Sequence, residues 1–400
     1  MITNSLLQQS QIPYRNIMFY GEQSIYSGEN HFYPSKISAN LLTHLIFAFL
    51  NVDSNGDLLL NDEYAAFQTI NIPELEGIDF ATPYAGIIGA MSILKVQNSH
   101  LKLGISIGGP LCSEKFSEIS EDDIKRQNFA INIVNFIRYV GFDFIDIYLG
   151  EETLQSTNLI LLLKEIRNEL NAIQKDGMRF ELSVTMTSYP EKLGKIEFDK
   201  VLPLVNFTNL ITYDFNGGWN SYTGHQTPLY VNKVYDEEKV EAQFSIDSCI
   251  TYLEETYGSS IDMTKIVIGV APYTRAWAGV QDDSLDKNNP GLYATANPNS
   301  VRGEDGTKSG IYGYHQLPSL IKQFGLVEYY DKVAQAAYYY SPNTRYFFSC
   351  DNEESVADKG KYVKKKGLGG LFMWMASYDA ENTITQAMFN SLYEEGYSFP

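Results

Sequence analysis

Short, nearly continuous apolar runs alternate along this chain with longer stretches in which apolar residues return every three or four positions. Thr43–Val52 (THLIFAFLNV), Leu101–Ile107, Phe142–Leu149, Phe180–Thr187, Phe207–Tyr213, Lys265–Tyr273 and Leu371–Met375 are runs of the first kind and predict strands buried on both faces. Between them, Phe129, Ile133, Phe136, Ile137 and Val140 form a helical stripe that Gly141 ends. Leu159, Leu162, Leu163, Ile166, Leu170 and Ile173 form another before Gly177, and a last helix is expected at about Ser355–Lys366. Buried strands alternating with amphipathic helices predict a parallel sheet covered by helices. With so many units in one chain, the α/β class narrows to a closed (β/α)8 TIM barrel rather than an open doubly wound sheet.

One segment breaks the alternation. Ala278–Ser349 is rich in Gly, Asn, Asp and Tyr and predicts a hairpin, Ala337–Tyr340 against Tyr346–Ser349 around Ser341-Pro342-Asn343-Thr344. It reads as a small α+β insertion between the seventh and eighth barrel strands. The expected organisation is therefore barrel strands one to seven over 1–277, the insertion over 278–349, and completion of the barrel over 350–400.

Composition narrows the function. At 400 residues the chain exceeds the roughly 250–300 at which one core stops growing, as a barrel with an insertion would. Thirty basic against 49 acidic residues give a net charge of −19, which repels phosphate backbones and anionic lipid and excludes a nucleic-acid partner. Cys112, Cys249 and Cys350 lack paired spacing, so buried or half-buried thiols are expected, with no disulfide framework, zinc site or cofactor. No apolar run approaches the roughly 18 residues of a spanning helix, so no membrane insertion is expected. The start, MITNSLLQQSQIPYRN, has no signal-peptide pattern; release as part of a secreted assembly is compatible with that. The patches Glu151-Glu152 and Asp351–Glu354 read as solvated faces, and Lys364-Lys365-Lys366 as a helix C-terminus complementing its dipole. His44 reads as a satisfied core histidine, while His225, in a loop, is open to either reading.

In a barrel of this kind chemistry collects at the C-terminal ends of the strands. Ser106, Asp143, Asp146, Tyr148, Thr187, Tyr213, Asp214, Tyr273, Arg275, Trp374 and Asp379 are the candidates there. Each alone reads equally well as a turn cap or as packing, and none has metal-ligand spacing. Together with their surroundings they resemble the family-18 glycoside hydrolases, the chitinase family, from about Tyr14 to Asp379. The resemblance is carried by LTHLIFAFLNVD (Leu42–Asp53), KLGISIGG (Lys102–Gly109), GFDFID (Gly141–Asp146), LITYD (Leu210–Asp214), TGHQTPLY (Thr223–Tyr230), KIVIGVAPYTRAW (Lys265–Trp277) and GLGGLFMW (Gly367–Trp374). The start, YRNIMFYG, is similar to bacterial chitinases that accompany insecticidal toxin complexes.

That resemblance implies cleavage of β-1,4-linked N-acetylglucosamine polymers with retention, the substrate's own acetamido oxygen acting as nucleophile. It implies one general acid and an aspartate that orients the acetamide. Both come from a fourth-strand pattern of Asp, two residues, Asp, one, Asp, one, Glu. Residues two apart on a strand share a face, so the last three acids point into the barrel mouth. Here Asp143 and Asp146 match, Tyr148 stands at the third aspartate and Gly150 at the acid. Glycine has no proton to give, and general-acid catalysis is worth about 10²–10⁴-fold. On a regular strand Glu151 faces away. Glu152 lies about 6.6 Å further out. A bulge at Leu149-Gly150 would bring Glu151 round.

By resemblance, Trp374 floors the innermost subsite, Tyr213 and Asp214 hold the acetamide beside Asp146, and Tyr273 and Arg275 are the strand-seven polar pair. Indoles expected elsewhere are replaced by Gln23 and Tyr26 near strand one and by Pro110 after Ser-x-Gly-Gly, and Met375 replaces an acidic neighbour. The expectation drawn from Gly150 and Tyr148 is a chitinase-like protein without hydrolase activity. It would serve as a scaffold with protein partners in a larger assembly such as a bacterial toxin complex. Two alternatives stand beside it: a lectin-like module that binds N-acetylglucosamine-containing glycan through Trp374, and a weak chitinase using a displaced glutamate.

Overall fold

The computed structural model describes residues 13–26, 31–75, 85–109, 113–149, 155–174, 179–233, 244–284 and 287–400. Thirteen strands are found among them: β1 (Arg15–Gly21), β2 (His44–Val52), β3 (Leu58–Leu60), β4 (Lys102–Gly108), β5 (Phe144–Tyr148), β6 (Glu181–Thr187), β7 (Phe207–Ile211), β8 (Ile266–Val270), β9 (Arg275–Ala278), β10 (Val327–Asp331), β11 (Ala336–Ser341), β12 (Tyr346–Ser349) and β13 (Gly370–Met373). Eight of them, β1, β2, β4–β8 and β13, pair in parallel, and the β1–β2 and β1–β13 ladders close the ring. This is the (β/α)8 barrel that the alternating pattern predicts.

Alternation along each strand separates an interior from a helix-facing layer. Ile17 and Phe19 of β1, Phe144 and Tyr148 of β5, Phe207, Val267 and Phe372 fill the inside of the barrel. Their neighbours Met18, Tyr20, Ile145, Ile147 and Ile268 pack outward under the helices. Helix Asp123–Val140 shows how local chemistry sets the outer ring. The Asp122 carboxylate caps its start by accepting from the Ile124 and Lys125 amides, and Gly141 ends it at φ 71°, a left-handed conformation that glycine adopts without a Cβ penalty.

Strands β7 and β8 end earlier than their apolar runs suggest, at Ile211 and Val270 rather than at Tyr213 and Tyr273. The backbone leaves the ladder there because other partners take it. The Thr227 hydroxyl donates to the Thr212 carbonyl and the Tyr189 hydroxyl to that of Asp214, which has φ 60°.

Between β8 and β13 the chain builds a four-stranded antiparallel sheet, β10-β11-β12-β9, with helix Leu317–Phe324 against it. The predicted hairpin is its β11–β12 pair. Helix Glu353–Lys366 then returns to the barrel, capped by Asn352. Asp351, expected on a solvated face, is fully buried: it accepts from Lys359 Nζ at 2.6 Å and from the Ala271 amide at 2.9 Å. Lys359 also donates to Thr227 Oγ1 at 2.7 Å, so one buried pair ties helix, strand exit and loop together. Burial lowers the Lys359 pKa, with Asp351 opposing. Cys249 and Cys350 are free buried thiols; Cys112 lies outside the described residues. No helix among the described residues is long and apolar enough to cross a membrane.

Candidate active site

Asp146 is the interior residue of β5 that carries charge, and three hydroxyls surround it. Ser106 donates to Oδ2 at 2.7 Å, Ser183 to Oδ1 at 2.7 Å, and Thr185 bridges both oxygens at 2.9 and 3.0 Å. Asn209 in turn donates to Thr185 Oγ1 at 3.0 Å. The network joins β4, β5, β6 and β7 across their registers. Burial raises the Asp146 pKa, and the hydroxyl bonds hold it back.

Above this layer, toward the C-terminal ends, Tyr213 and Tyr273 meet edge to face with ring centroids 6.1 Å apart. Gly269 makes room for them, since a Cβ there would stand 2.7 Å from the Tyr213 ring. Burial pushes the Tyr213 hydroxyl well above its usual 10, helped by Tyr148 and Asp214, so it stays an O–H donor. Arg275 clasps Asp214 in a two-pronged pair, Nε to Oδ1 and Nη2 to Oδ2, both at 2.7 Å. The same guanidinium lies 5.1 Å from the centroid of the Trp219 ring. Trp219 is half exposed at the mouth.

Trp374 follows the last barrel strand. It stacks on Phe49 at 5.3 Å and 18° and tilts against Phe19 at 5.8 Å. Phe49 also meets Tyr148 edge to face at 5.0 Å. The Ala48-Phe49 and Trp374-Met375 peptide bonds are cis. Met375 is buried beside Gln23, whose amide reaches its sulfur at 3.6 Å.

The structure thus brings Asp146, Tyr148, Tyr213, Asp214, Tyr273, Arg275 and Trp374 to one end of the barrel and leaves Asp143 out. Asp143 precedes β5, at the opposite end of that strand. Its carboxylate accepts from the Leu103 amide at 2.7 Å and pairs with Lys95, which makes it an anchor of the barrel floor. Asp379 also serves structure: it caps helix Thr383–Leu392 through the Ile384 and Thr385 amides. His44 is satisfied by Thr43 and Glu181, and buried His225 faces Asp331 at 3.4 Å. Gly150, Glu151, Glu152 and Pro110 lie outside the described residues. Among the described residues no group of acids, histidines and cysteines is placed to hold a metal ion.

Glu22 is a mouth residue that sequence reasoning missed. It follows β1 directly and is 9% exposed. Burial pushes its carboxyl from the usual 4.5 up to about 7; Asp62 adds to this, and a hydrogen bond from Asn61 opposes it. A group whose pKa is raised by folding stabilises fully below its unfolded value and loses that contribution as pH rises through the folded one. Relative to Glu22→Gln, the wild-type melting temperature should therefore fall between about pH 4.5 and about 7. Parallel curves for the two proteins would contradict this.

A parallel barrel with its polar and aromatic residues gathered at the strand C-termini is an enzyme-type (β/α)8 architecture with its site at that face, and similarity to known proteins supplies the chemistry. The family described as "Glycosyl hydrolases family 18" matches residues 15–379, and the chain belongs to it. Among individual proteins, the chain is 29% identical over 370 residues to Chitinase 1 of Aphanocladium album, covering 91% of this chain and 81% of that protein. It is 28% identical to Endochitinase 1 of Metarhizium robertsii, covering 92% and 82%. A chitinase from Bacillus thuringiensis superposes with a TM-score of 0.83 at 24% identity, over 95% of this chain and 69% of that one.

These relatives correct the expectation of a chain without hydrolase activity. Proteins named chitinases match it over more than nine-tenths of its length, which points to an enzyme. The expectation drew on Gly150 and Tyr148 at the acid positions and set Glu151 and Glu152 aside by strand alternation, but β5 ends at Tyr148. Two-residue spacing fixes which way a side chain faces only while the ladder continues.

Proposed function

We propose that the chain hydrolyses β-1,4-linked N-acetylglucosamine polymers at this mouth, with retention at the anomeric carbon. The observation that carries the reading is the convergence of Trp374, Tyr213 and the Asp214–Arg275 pair over a buried Asp146. A pyranose C–H face stacks on Trp374, whose ring is also stacked with Phe49. Exposed Trp219, steadied by Arg275, offers a second platform. The protonated Tyr213 hydroxyl is suited to donate to an acetamide carbonyl.

In the substrate-assisted route the acetamido oxygen bonds to the anomeric carbon as the glycosidic bond breaks, and an acid delivers a proton to the departing oxygen. That acid is assigned to the Glu151-Glu152 pair just beyond β5. Water then opens the cyclic intermediate, with the same carboxylate as base. The relatives named chitinases support hydrolysis over a module that only binds glycan.

Incubating purified protein with chitotetraose should release shorter oligosaccharides, and Trp374→Ala should lower kcat/KM by about 10- to 100-fold, the worth of burying one large apolar face. Tight binding of chitotetraose by the wild type without any cleavage would replace hydrolysis with the lectin reading.

A further inference from the structure

We propose that the floor of the barrel, opposite the sugar mouth, holds a binding site for a phosphate-type oxyanion. A cavity of about 530 Å³ opens there beside the start of β1 and the segments leading into β6, β7 and β8. Arg15, Arg167, Arg179 and Lys265 line it, and among the described residues Asp262 is the one acidic residue in the lining. In a chain with 49 acidic against 30 basic residues, four cations gathered in one hollow run against the overall balance. Among the described residues none of the four is ion-paired. Asp262 spends one oxygen on Thr264, at 3.0 Å to its amide and 2.6 Å to its hydroxyl. Glu181, behind the hollow, is bonded to His44 and Lys102.

Three of the cations are held in place by neutral acceptors. Arg167 donates to the Leu204 and Phe180 carbonyls at 2.9 and 3.1 Å and to Asn206 Oδ1 at 2.7 Å. Lys265 donates to the Leu202 and Val205 carbonyls at 2.7 and 2.8 Å. Arg15 donates to the Thr264 and Asn206 carbonyls at 3.2 and 3.4 Å. A guanidinium has five N–H donors and an ammonium three, so each keeps donors unspent. Carbonyls fix the positions of these groups without neutralising them, and Glu181, acting on Arg15 and Arg167 without a direct bond, offsets only part of the charge. Burial lowers the Lys265 pKa, and Arg15 and Arg167 press it further down while Asp262 opposes. A tetrahedral oxyanion with two negative charges relieves that repulsion and accepts several charge-assisted bonds at once, which a singly charged chloride does not.

Free phosphate and a phosphate monoester share this chemistry. The test is calorimetric titration of the whole chain with inorganic phosphate and, separately, glycerol phosphate, at ionic strength held constant with potassium chloride. Saturable binding of phosphate, weakened at least about 10-fold in Arg179→Glu, is expected. Arg179 is exposed and has no bonding partner among the described residues, so this variant should keep the wild-type melting temperature without phosphate. Equal affinity for glycerol phosphate would support the site and mark a monoester as its ligand; preference for phosphate would support it with the free ion. No heat beyond that of chloride, or equal affinity in Arg179→Glu, would overturn it.

Discussion

Replacing Glu151 and Glu152 together by glutamine should slow chitooligosaccharide cleavage by about 10²–10⁴-fold while leaving oligosaccharide binding in place. The leaving oxygen of a sugar needs a proton as the bond breaks. Gly150, at the family's acid position, cannot give one, whereas two carboxyls follow at once in the chain. Glutamine keeps size and polarity and removes only the acid. The single variants then divide the role: one should match the double variant and the other stay near wild type. Since the acid acts on kcat, KM for chitotetraose should change little. Full activity in the double variant would move the proton donor elsewhere in the mouth.

The second large effect is on stability. Asp146→Ala should cost about 3 kcal/mol or more in urea unfolding, because it leaves the hydroxyls of Ser106, Ser183 and Thr185 facing a buried void. Each orphaned buried group costs about 1–3 kcal/mol, and the three cannot all turn to one another. Asp146→Asn keeps the shape and lets the hydroxyls rotate to accept, so its cost should be smaller. The pH dependence has a definite sign. Folding raises the Asp146 pKa, so its contribution is largest at low pH and declines as pH rises through the folded value. The gap between wild type and Asp146→Asn should narrow in that direction. An alanine variant as stable as the wild type would mean that the hydroxyl network does not hold these strands.

The barrel was legible because its strands are apolar on both faces and its helices on one. What the periodicity could not supply was the polarity of position along a strand. Asp143 sits beside an apolar run that also holds Asp146, yet it belongs to the floor, because Lys95 and the Leu103 amide lie there. Long-range partners were equally invisible. Asp351 looked like one acid among several until Lys359 and the Ala271 amide enclosed it. The mouth's aromatic pairs join residues far apart in the chain, Phe49 with Trp374 and Trp219 with Arg275. One signal for Trp219 was available: with three Trp in the chain and Trp277 buried inside the insertion, an indole in a loop after a barrel strand was worth weighing. Setting aside Glu151 and Glu152 erred for another reason, since it extended the geometry of a strand past the residue where the strand stops.

Proton NMR of chitotetraose cleavage by the intact chain, recorded before the products mutarotate, puts the whole account to its most direct test. The acetamide-assisted mechanism predicts that the new reducing ends appear first as the β anomer. Products appearing first as the α anomer, or no products at all, would contradict it.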